Sequence, residues 1–200
     1  FALAVLGDDN FGLLRATVGL IHRIERLFKV HCDNCGLPVK FAVTKHIIEA
    51  EFLSMRFYPV GDKFCIGRKP GRVLAKIGYF LAKTPRKRKD CIPIFKGALL
   101  SLLSTGNHVP FLRKYLQVNL EMLEGTKAKF DAHDYLKMKG TMYEPTVETF
   151  VAFERLYGLN EDDELDFERL LRSRITRDGL TCLIHSEAVD QMLKVDKLGP

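Results

Sequence analysis

The stretch that decides the fold is Phe1-Ala-Leu-Ala-Val-Leu-Gly-Asp-Asp-Asn-Phe-Gly12. Its first six residues form a short apolar run typical of a fully buried β-strand. The apolar character resumes after Asn10, so Gly7-Asp-Asp-Asn10 fits the tip of a tight hairpin, where Gly and Asn tolerate positive φ. Such a hairpin would hold two carboxylates at the edge of a buried sheet, an arrangement that suits a divalent metal. The same residues are also ordinary turn formers, so a turn without a function stays open.

Length and composition indicate a globular chain. Its 200 residues are 46% hydrophobic and 28% charged, enough for one good core or a modest core with a small satellite domain. No apolar run approaches the roughly 18 residues of a membrane span, and no stretch has the pattern of a signal peptide. Because the chain opens in mid-strand, we expect it to be a fragment of a longer polypeptide.

The five cysteines are an odd number scattered along the chain, which indicates reduced thiols in a cytosolic setting. Cys32-Asp-Asn-Cys35 has CxxC spacing beside His31, which leaves zinc as an alternative. No second pair of cysteines or histidines follows to complete four ligands. A helix end with two incidental thiols is therefore favoured.

Positive charge is concentrated in one segment. The net charge is +6, but the segment from Lys63 to Lys89 alone carries +10, because it holds ten basic residues and no acidic one. Such a segment is typical of a polyanion-binding surface. A solvated surface run is the alternative, and Pro85-Arg-Lys-Arg-Lys89 also resembles a nuclear-import patch.

The rest of the chain predicts an α+β fold. Thr17 is the expected N-cap of a helix that runs to about Asp33 and ends at Gly36, with its apolar stripe packed under the sheet. A loop follows from Leu37 to Lys45. Glu51 to Tyr58 and Lys63 to Ile66 then predict two strands, with Pro59 and Gly61-Asp62 between them as the turn.

Helices dominate after residue 66. The residues from Pro85 to Asp90 are predicted to be a linker, and the acidic group Glu161 to Glu164 is explained by helix capping rather than by metal binding. The expected helices begin at Pro70, Pro93, Pro110, Pro145, Glu161 and Ser186.

Taken in order, Gly7-Asp8-Asp9, the Cys35-Gly36-Leu37 segment with Lys45, and the hairpin from Glu51 to Ile66 resemble motifs C, D and E of the RNA-dependent RNA polymerases of positive-strand RNA viruses. The resemblance covers about the first 80 residues, and the later helices match only a generic thumb. It implies a C-terminal palm of two hairpins and a helix in residues 1–66, and a mostly helical thumb in residues 67–200.

The resemblance also implies a catalytic role for three residues. Asp8 would be the principal metal ligand and Asp9 the second, for two Mg²⁺ (or Mn²⁺) ions held roughly 4 Å apart in the complete enzyme. Lys45 would protonate the pyrophosphate leaving group, a step that needs a mobile cation beside developing phosphate charge. Lys40 is the alternative for this role.

RNA contacts are expected in the hairpin and the basic segment. By the resemblance, the turn region of Ser54, Met55 and Arg56 would lie near the 3′ end of the nascent strand. A rigid hairpin presenting an arginine can fix a phosphate without reading sequence. The helix after it would follow the RNA backbone as the duplex leaves the site. The predicted cations of this second region are Arg68, Lys69, Arg72 and Lys76, with Lys83 further along.

The function implied is nucleotidyl transfer from a nucleoside triphosphate to an RNA 3′-hydroxyl on an RNA template. The fingers and motifs A and B would belong to the remainder of the polypeptide, so the fragment is not expected to polymerise alone. The expected location is the host cytoplasm, at membrane-associated replication complexes. Two alternatives stay open: a non-catalytic basic RNA-binding module in which Gly-Asp-Asp is only a turn, and a helical interaction domain whose basic run serves targeting.

Overall fold

The computed structural model describes residues 2–6, 9–37, 39–40, 42–79, 87–130, 141–174 and 185–197. The chain is α+β, about 54% helical with two small sheets, which confirms the predicted fold class at that level. It divides into two compact units, Phe1–Leu53 and Ser54–Pro200. This division by compactness is a different question from the predicted boundary between palm and thumb at residue 66, which refers to polymerase domains and stays a prediction.

The first unit begins with the expected hairpin. Strands β1 (Ala2–Leu6) and β2 (Asp9–Leu13) are antiparallel, with Ala2 opposite Leu13 and Leu6 opposite Asp9. Helix α1 (Val18–Asn34) follows, then a 3-10 turn (Ile47–Glu49) and the two-residue strand β3 (Glu51–Phe52). The Phe11 and Phe52 rings lie 6.2 Å apart between centroids.

Local signals fix the ends of α1 as the sequence predicted. The Thr17 side chain accepts a hydrogen bond from the Leu20 N–H at 3.4 Å. At the other end Gly36 has φ +71°, and the Leu37 N–H reaches back to the Cys32 carbonyl at 2.9 Å. This is a Schellman motif, which needs a residue that tolerates the left-handed region.

The prediction of a buried strand and a buried helix face is wrong for this unit. Leu3 is 63% exposed and Val5 57% exposed, and α1 has no buried residue although Ile21 and Ile24 are half-buried. Within the described part of residues 1–53, no second layer of structure covers the hairpin or the helix. Apolar side chains on a two-stranded sheet without such a layer stay in contact with water.

The second unit begins with a regular hairpin of β4 (Met55–Val60) and β5 (Lys63–Arg68). Its register places Val60 opposite Lys63 across Gly61-Asp62, whereas Pro59 lies inside β4 opposite Phe64 rather than in the turn. In a two-residue hairpin the pair that flanks the turn exchanges hydrogen bonds and the next pair does not, so the missing N–H of Pro59 costs β4 no bond to β5.

Helices complete this unit. They are α2 (Pro70–Leu74), α3 (Arg88–Gly106), α4 (Leu112–Met122), α5 (Val147–Tyr157), α6 (Glu161–Arg174) and α7 (Glu187–Val195). Among these, α3 packs on α4, α4 on α6, α2 on α7, and α5 on β4.

Two helices differ from prediction. The helix predicted to begin at Pro70 and to carry both Arg72 and Lys76 ends after five residues at Leu74, before Lys76, and the chain then turns through Gly78, whose φ is +88°. Helix α3 begins at Arg88 and not at Pro93, so Arg88 to Asp90 are helical rather than linker. Pro93 is tolerated there because its missing N–H affects only one bond early in a long helix.

The core of the second unit contains a cluster of packed aromatic rings among aliphatic side chains. Phe111 stacks on Phe153 at 5.4 Å and Phe153 on Tyr157 at 4.4 Å between ring centroids, and Phe111 also meets Phe167. All four rings are buried. In the part of the chain that the structure describes, no helix has the length and apolar character needed to cross a membrane.

Candidate nucleic-acid interface

In the chain, Gly7 and Asp8 stand between β1 and β2, and Asp9 follows them. Asp9 is the first residue of β2 and its side chain is exposed, whereas Gly7 and Asp8 lie outside the described residues. Among the side chains that are described, no three of the His, Cys, Asp and Glu type converge as metal ligands. Two carboxylates are chemically suited to Mg²⁺ but would be an incomplete ligand set, so further oxygen ligands would have to come from elsewhere.

A second Gly-Asp turn offers a direct comparison. Gly61-Asp62 joins β4 to β5 with the same two-residue spacing, and Gly61 has φ +61°. The two hairpins differ at the next residue, which is Asp9 in the first and Lys63 in the second. The turn residues alone therefore explain a hairpin, and only the second carboxylate distinguishes the first turn chemically.

The predicted leaving-group lysines lie in irregular structure. Lys40 and Lys45 are both exposed and belong to the segment between α1 and the 3-10 turn. The choice between Lys40 and Lys45 therefore stays open.

The CxxC pair lies at the end of α1, where Cys32 is half-buried and Cys35 is exposed.

The hairpin predicted to contact RNA turns its arginine inward. Ser54 is exposed in a tight turn with φ 60°, and Met55 is half-buried. Arg56 and Tyr58 share one face of β4 because strand residues alternate, and Arg56 lies opposite Gly67 of β5. Both side chains are buried, with Arg56 only 6% exposed.

Arg56 meets the carboxylate of Asp196, which follows α7. Its Nη2 lies 3.7 Å from Asp196 Oδ1, and its guanidinium lies over the Tyr157 ring at 5.7 Å from the centroid. Lys69 is also 6% exposed, and its positive charge acts on the same carboxyl. We therefore correct the predicted RNA contacts of Arg56 and Lys69, because both cations are held inside the unit.

The Asp196 carboxyl is a charged group in a buried environment. Burial raises its pKa, while the hydrogen bond from Tyr157, the charges of Arg56 and Lys69, and a hydrogen bond from the Arg72 backbone oppose that rise. The Tyr157 hydroxyl donates to Oδ1 at 2.9 Å. Burial is also the main reason why the pKa of Tyr157 is raised.

Exposed cations precede and follow the buried Lys69 in the sequence. Arg68 ends β5, Arg72 lies in α2, and Lys76 follows α2, and all three are exposed. They carry the positive charge that the sequence assigned to RNA contact. Lys83 lies outside the described residues.

Sequence reasoning missed Asp196 and Tyr157. The only available signal was the alternation of β4, which places Arg56 on the face of Tyr58 and away from Phe57. Nothing local pairs Arg56 with a residue so distant along the chain. Comparison of the chain with protein-family models, with curated proteins and with solved structures gave no match.

Proposed function

We propose that this chain is the C-terminal palm and thumb of a viral RNA-directed RNA polymerase. The observation that carries the proposal is the register of the first hairpin, in which Leu6 pairs with Asp9 and Gly7-Asp8 join the strands. A helix, a loop with lysines, a second hairpin and a helical region then follow in the order in which motifs C, D, E and the thumb occur in that family.

In this proposal Asp8 and Asp9 hold divalent metal together with carboxylates from the remainder of the polymerase polypeptide. When bound, Mg²⁺ would lower the pKa of the RNA 3′-hydroxyl and offset charge on the triphosphate. The RNA 3′-hydroxyl gives its proton to water, its oxygen forms a bond to the α-phosphorus of the nucleoside triphosphate, and the bond from that phosphorus to pyrophosphate breaks. Lys45, or alternatively Lys40, gives a proton to that leaving group.

RNA contact in this proposal falls to the exposed side chains. Ser54 and Met55 would lie near the 3′ end of the nascent strand, while Arg68, Arg72 and Lys76 would meet phosphates. Such contacts weaken with salt and do not depend on base sequence. By the same resemblance, replication would take place in the host cytoplasm at membrane-associated complexes.

The test compares the two Gly-Asp turns. In the polymerase polypeptide that contains this chain, Asp8→Asn should lower Mg²⁺-dependent nucleotide incorporation on a primed RNA template by roughly 100-fold or more, since it removes a metal ligand. Asp62→Asn is the matched control and should keep near-normal incorporation. RNA binding measured by fluorescence anisotropy should be retained in both variants.

The opposite result has a definite meaning. If Asp8→Asn and Asp62→Asn leave incorporation equally unchanged, or if the polypeptide binds RNA without incorporating nucleotide, the polymerase proposal is wrong. A basic RNA-binding module would then be the better interpretation. If neutralising the exposed arginines also leaves the salt dependence of RNA binding unchanged, that interpretation fails too.

A further inference from the structure

The segment from Arg68 to Arg72 connects β5 to α2 and alternates sharply in exposure. Arg68 and Arg72 are exposed, whereas Lys69, Pro70 and Gly71 between them are buried. Two cations are thus displayed on the surface by a short piece of chain whose centre is packed inside. Their positions depend on what holds that centre.

Hydrogen bonds hold this segment at both ends. The Tyr58 hydroxyl donates to the Arg68 carbonyl at 3.4 Å, and the Gly71 N–H donates to Asp196 Oδ2 at 2.9 Å. The Arg72 backbone also hydrogen-bonds the Asp196 carboxyl. One carboxylate therefore fixes two consecutive backbone positions.

Close packing removes the remaining freedom at Gly71. A Cβ atom at this position would lie 2.5 Å from the Met192 carbonyl oxygen and 2.9 Å from Asp196 Oδ2. Because Met192 contributes a backbone atom, the helix could not yield by changing a rotamer. The backbone at residue 71 thus lies directly against α7.

Asp196 is itself fixed in place. Its side chain is 0% exposed, accepts from the Tyr157 hydroxyl at 2.9 Å and lies 3.7 Å from Arg56 Nη2. A buried carboxylate with several donors has little freedom to rotate, so it can transmit the position of α7 to the segment it holds.

We infer that Asp196 is a positioning residue for RNA contact: it anchors residues 69–72 from inside so that Arg68 and Arg72 are displayed to phosphates. This inference rests on the RNA contact assigned to Arg68 and Arg72 in the proposed function. Asp196 does not touch RNA, and it acts through the backbone of Gly71 and Arg72.

The test uses the sign of an electrostatic effect. Removing an acid should tighten RNA binding slightly, because the protein becomes more positive. If Asp196 positions the arginines, Asp196→Ala should instead weaken binding to a fluorescent oligouridylate of roughly 12 nucleotides by about 4-fold at physiological salt, the effect of losing one phosphate contact on a single strand. Asp190→Ala, an exposed acid of α7, is the matched control with the same change in charge.

The salt dependence separates positioning from simple stabilisation. Affinity is measured over a range of KCl concentrations, with far-UV circular dichroism to verify folding at the assay temperature. A purely structural role would lower the melting temperature but leave the affinity and salt slope of the folded protein unchanged. The positioning role predicts that the logarithm of the affinity of Asp196→Ala falls less steeply with the logarithm of the salt concentration. The difference in slope should correspond to about one fewer counterion released on binding.

Further variants keep the inference testable. Asp196→Asn keeps an acceptor oxygen but loses the charge that attracts Arg56 and Lys69, and Tyr157→Phe removes the 2.9 Å hydrogen bond to Oδ1 together with the hydrogen bond to the Tyr58 hydroxyl. Both variants should fold, and both should weaken binding in the same direction if Asp196→Ala does not fold. The inference is overturned if the folded variants bind RNA as tightly as Asp190→Ala. If Arg68→Gln with Arg72→Gln leaves RNA affinity unchanged, the RNA contact itself is wrong, and the two failures are distinguishable.

Discussion

A single carboxylate, that of Glu164, joins the turn before α4 to helix α6. It is 1% exposed, accepts from the Phe111 N–H at 2.9 Å and lies 3.3 Å from Arg113 Nη2. Phe111 has φ 60°, a conformation that costs a non-glycine residue about 1 kcal/mol or more. Glu164 therefore offsets local strain as well as pairing a charge.

Arg113 allows a comparison between two acids on one partner. Glu164→Gln should destabilise the protein by about 2 kcal/mol, because it weakens a buried ion pair and leaves Arg113 undercompensated. Glu144 lies 3.3 Å from Nη1 of the same arginine but is 71% exposed, so Glu144→Gln should cost less than about 0.5 kcal/mol. Urea unfolding measures both. Equal losses would show that burial of Glu164 is not what matters.

His108 makes stability depend on pH. It is buried against Tyr58, with ring centroids 5.8 Å apart, and burial lowers its pKa to about 4 although a backbone hydrogen bond with Ile66 opposes the shift. Its unfolded pKa is about 6.5, so the unfolded chain binds more protons between these values. The contribution of neutral His108 is therefore complete above about pH 6.5 and is lost as the pH falls toward 4.

The corresponding variant is His108→Gln, which cannot titrate. The wild-type free energy of unfolding should fall by up to about 3 kcal/mol more than that of the variant between pH 7 and 4. Urea unfolding at several pH values gives both curves. The raised pKa of Asp196 acts on both proteins with the opposite sign, so the difference reports His108. Parallel curves would contradict a depressed pKa.

At the scale of elements, two of the helical glycines, Gly97 and Gly19, differ in their surroundings. A Cβ on Gly97 of α3 would overlap the Lys129 carbonyl oxygen, because the chain after α4 lies directly on that helix. The Lys129 N–H also donates to the Pro93 carbonyl at 2.8 Å. On Gly19 of α1 a Cβ would meet nothing within 4 Å.

The same substitution should therefore have opposite signs in the two helices. Gly97→Ala should destabilise by about 1 to 3 kcal/mol through overpacking against backbone. Gly19→Ala should stabilise α1 by about 0.5 to 1 kcal/mol, because alanine has the better helix propensity. Thermal unfolding followed by far-UV circular dichroism measures each change in stability. A stabilising Gly97→Ala would show that residues 126–130 do not lie on α3.

Local sequence signals predicted the elements well. The two end signals of α1, Thr17 and Gly36, are where the sequence placed them, because capping depends on a few neighbouring residues. Both hairpins also follow from their turn residues. The early end of α2 and the early start of α3 were missed, since packing against other elements decides those boundaries.

The candidate site was less predictable than the elements. Arg68, Arg72 and Lys76 are exposed, as expected for surface cations, but Arg56 and Lys69 are buried, with Arg56 against Asp196. The sequence shows that a side chain is basic, but it does not show whether a carboxylate far along the chain packs against that side chain in the fold.

At the scale of the whole molecule, the two compact units differ in how much they bury. No described side chain of residues 1–53 is buried, whereas α4 contributes Leu112, Tyr115 and Leu116 at 1% exposure or less. Backbone amides in α1 should therefore exchange with deuterium at least roughly tenfold faster than those in α4, because local opening costs less where little surface is buried. Hydrogen exchange on the intact chain tests this. Equal protection would mean that α1 is covered in solution.

The bond between Gly71 and Asp196 joins residues 125 positions apart. It therefore closes only after residue 196 has been synthesised and has left the ribosome, and long closures of this kind slow folding. The β4–β5 hairpin and α2 form early in folding, because their residues are neighbours in the chain. The hydrogen bond from Gly71 to Asp196 that holds α2 in place forms late. Nascent chains stalled before residue 196 should accordingly leave the backbone near Lys69 open to trypsin, and chains released beyond it should be protected.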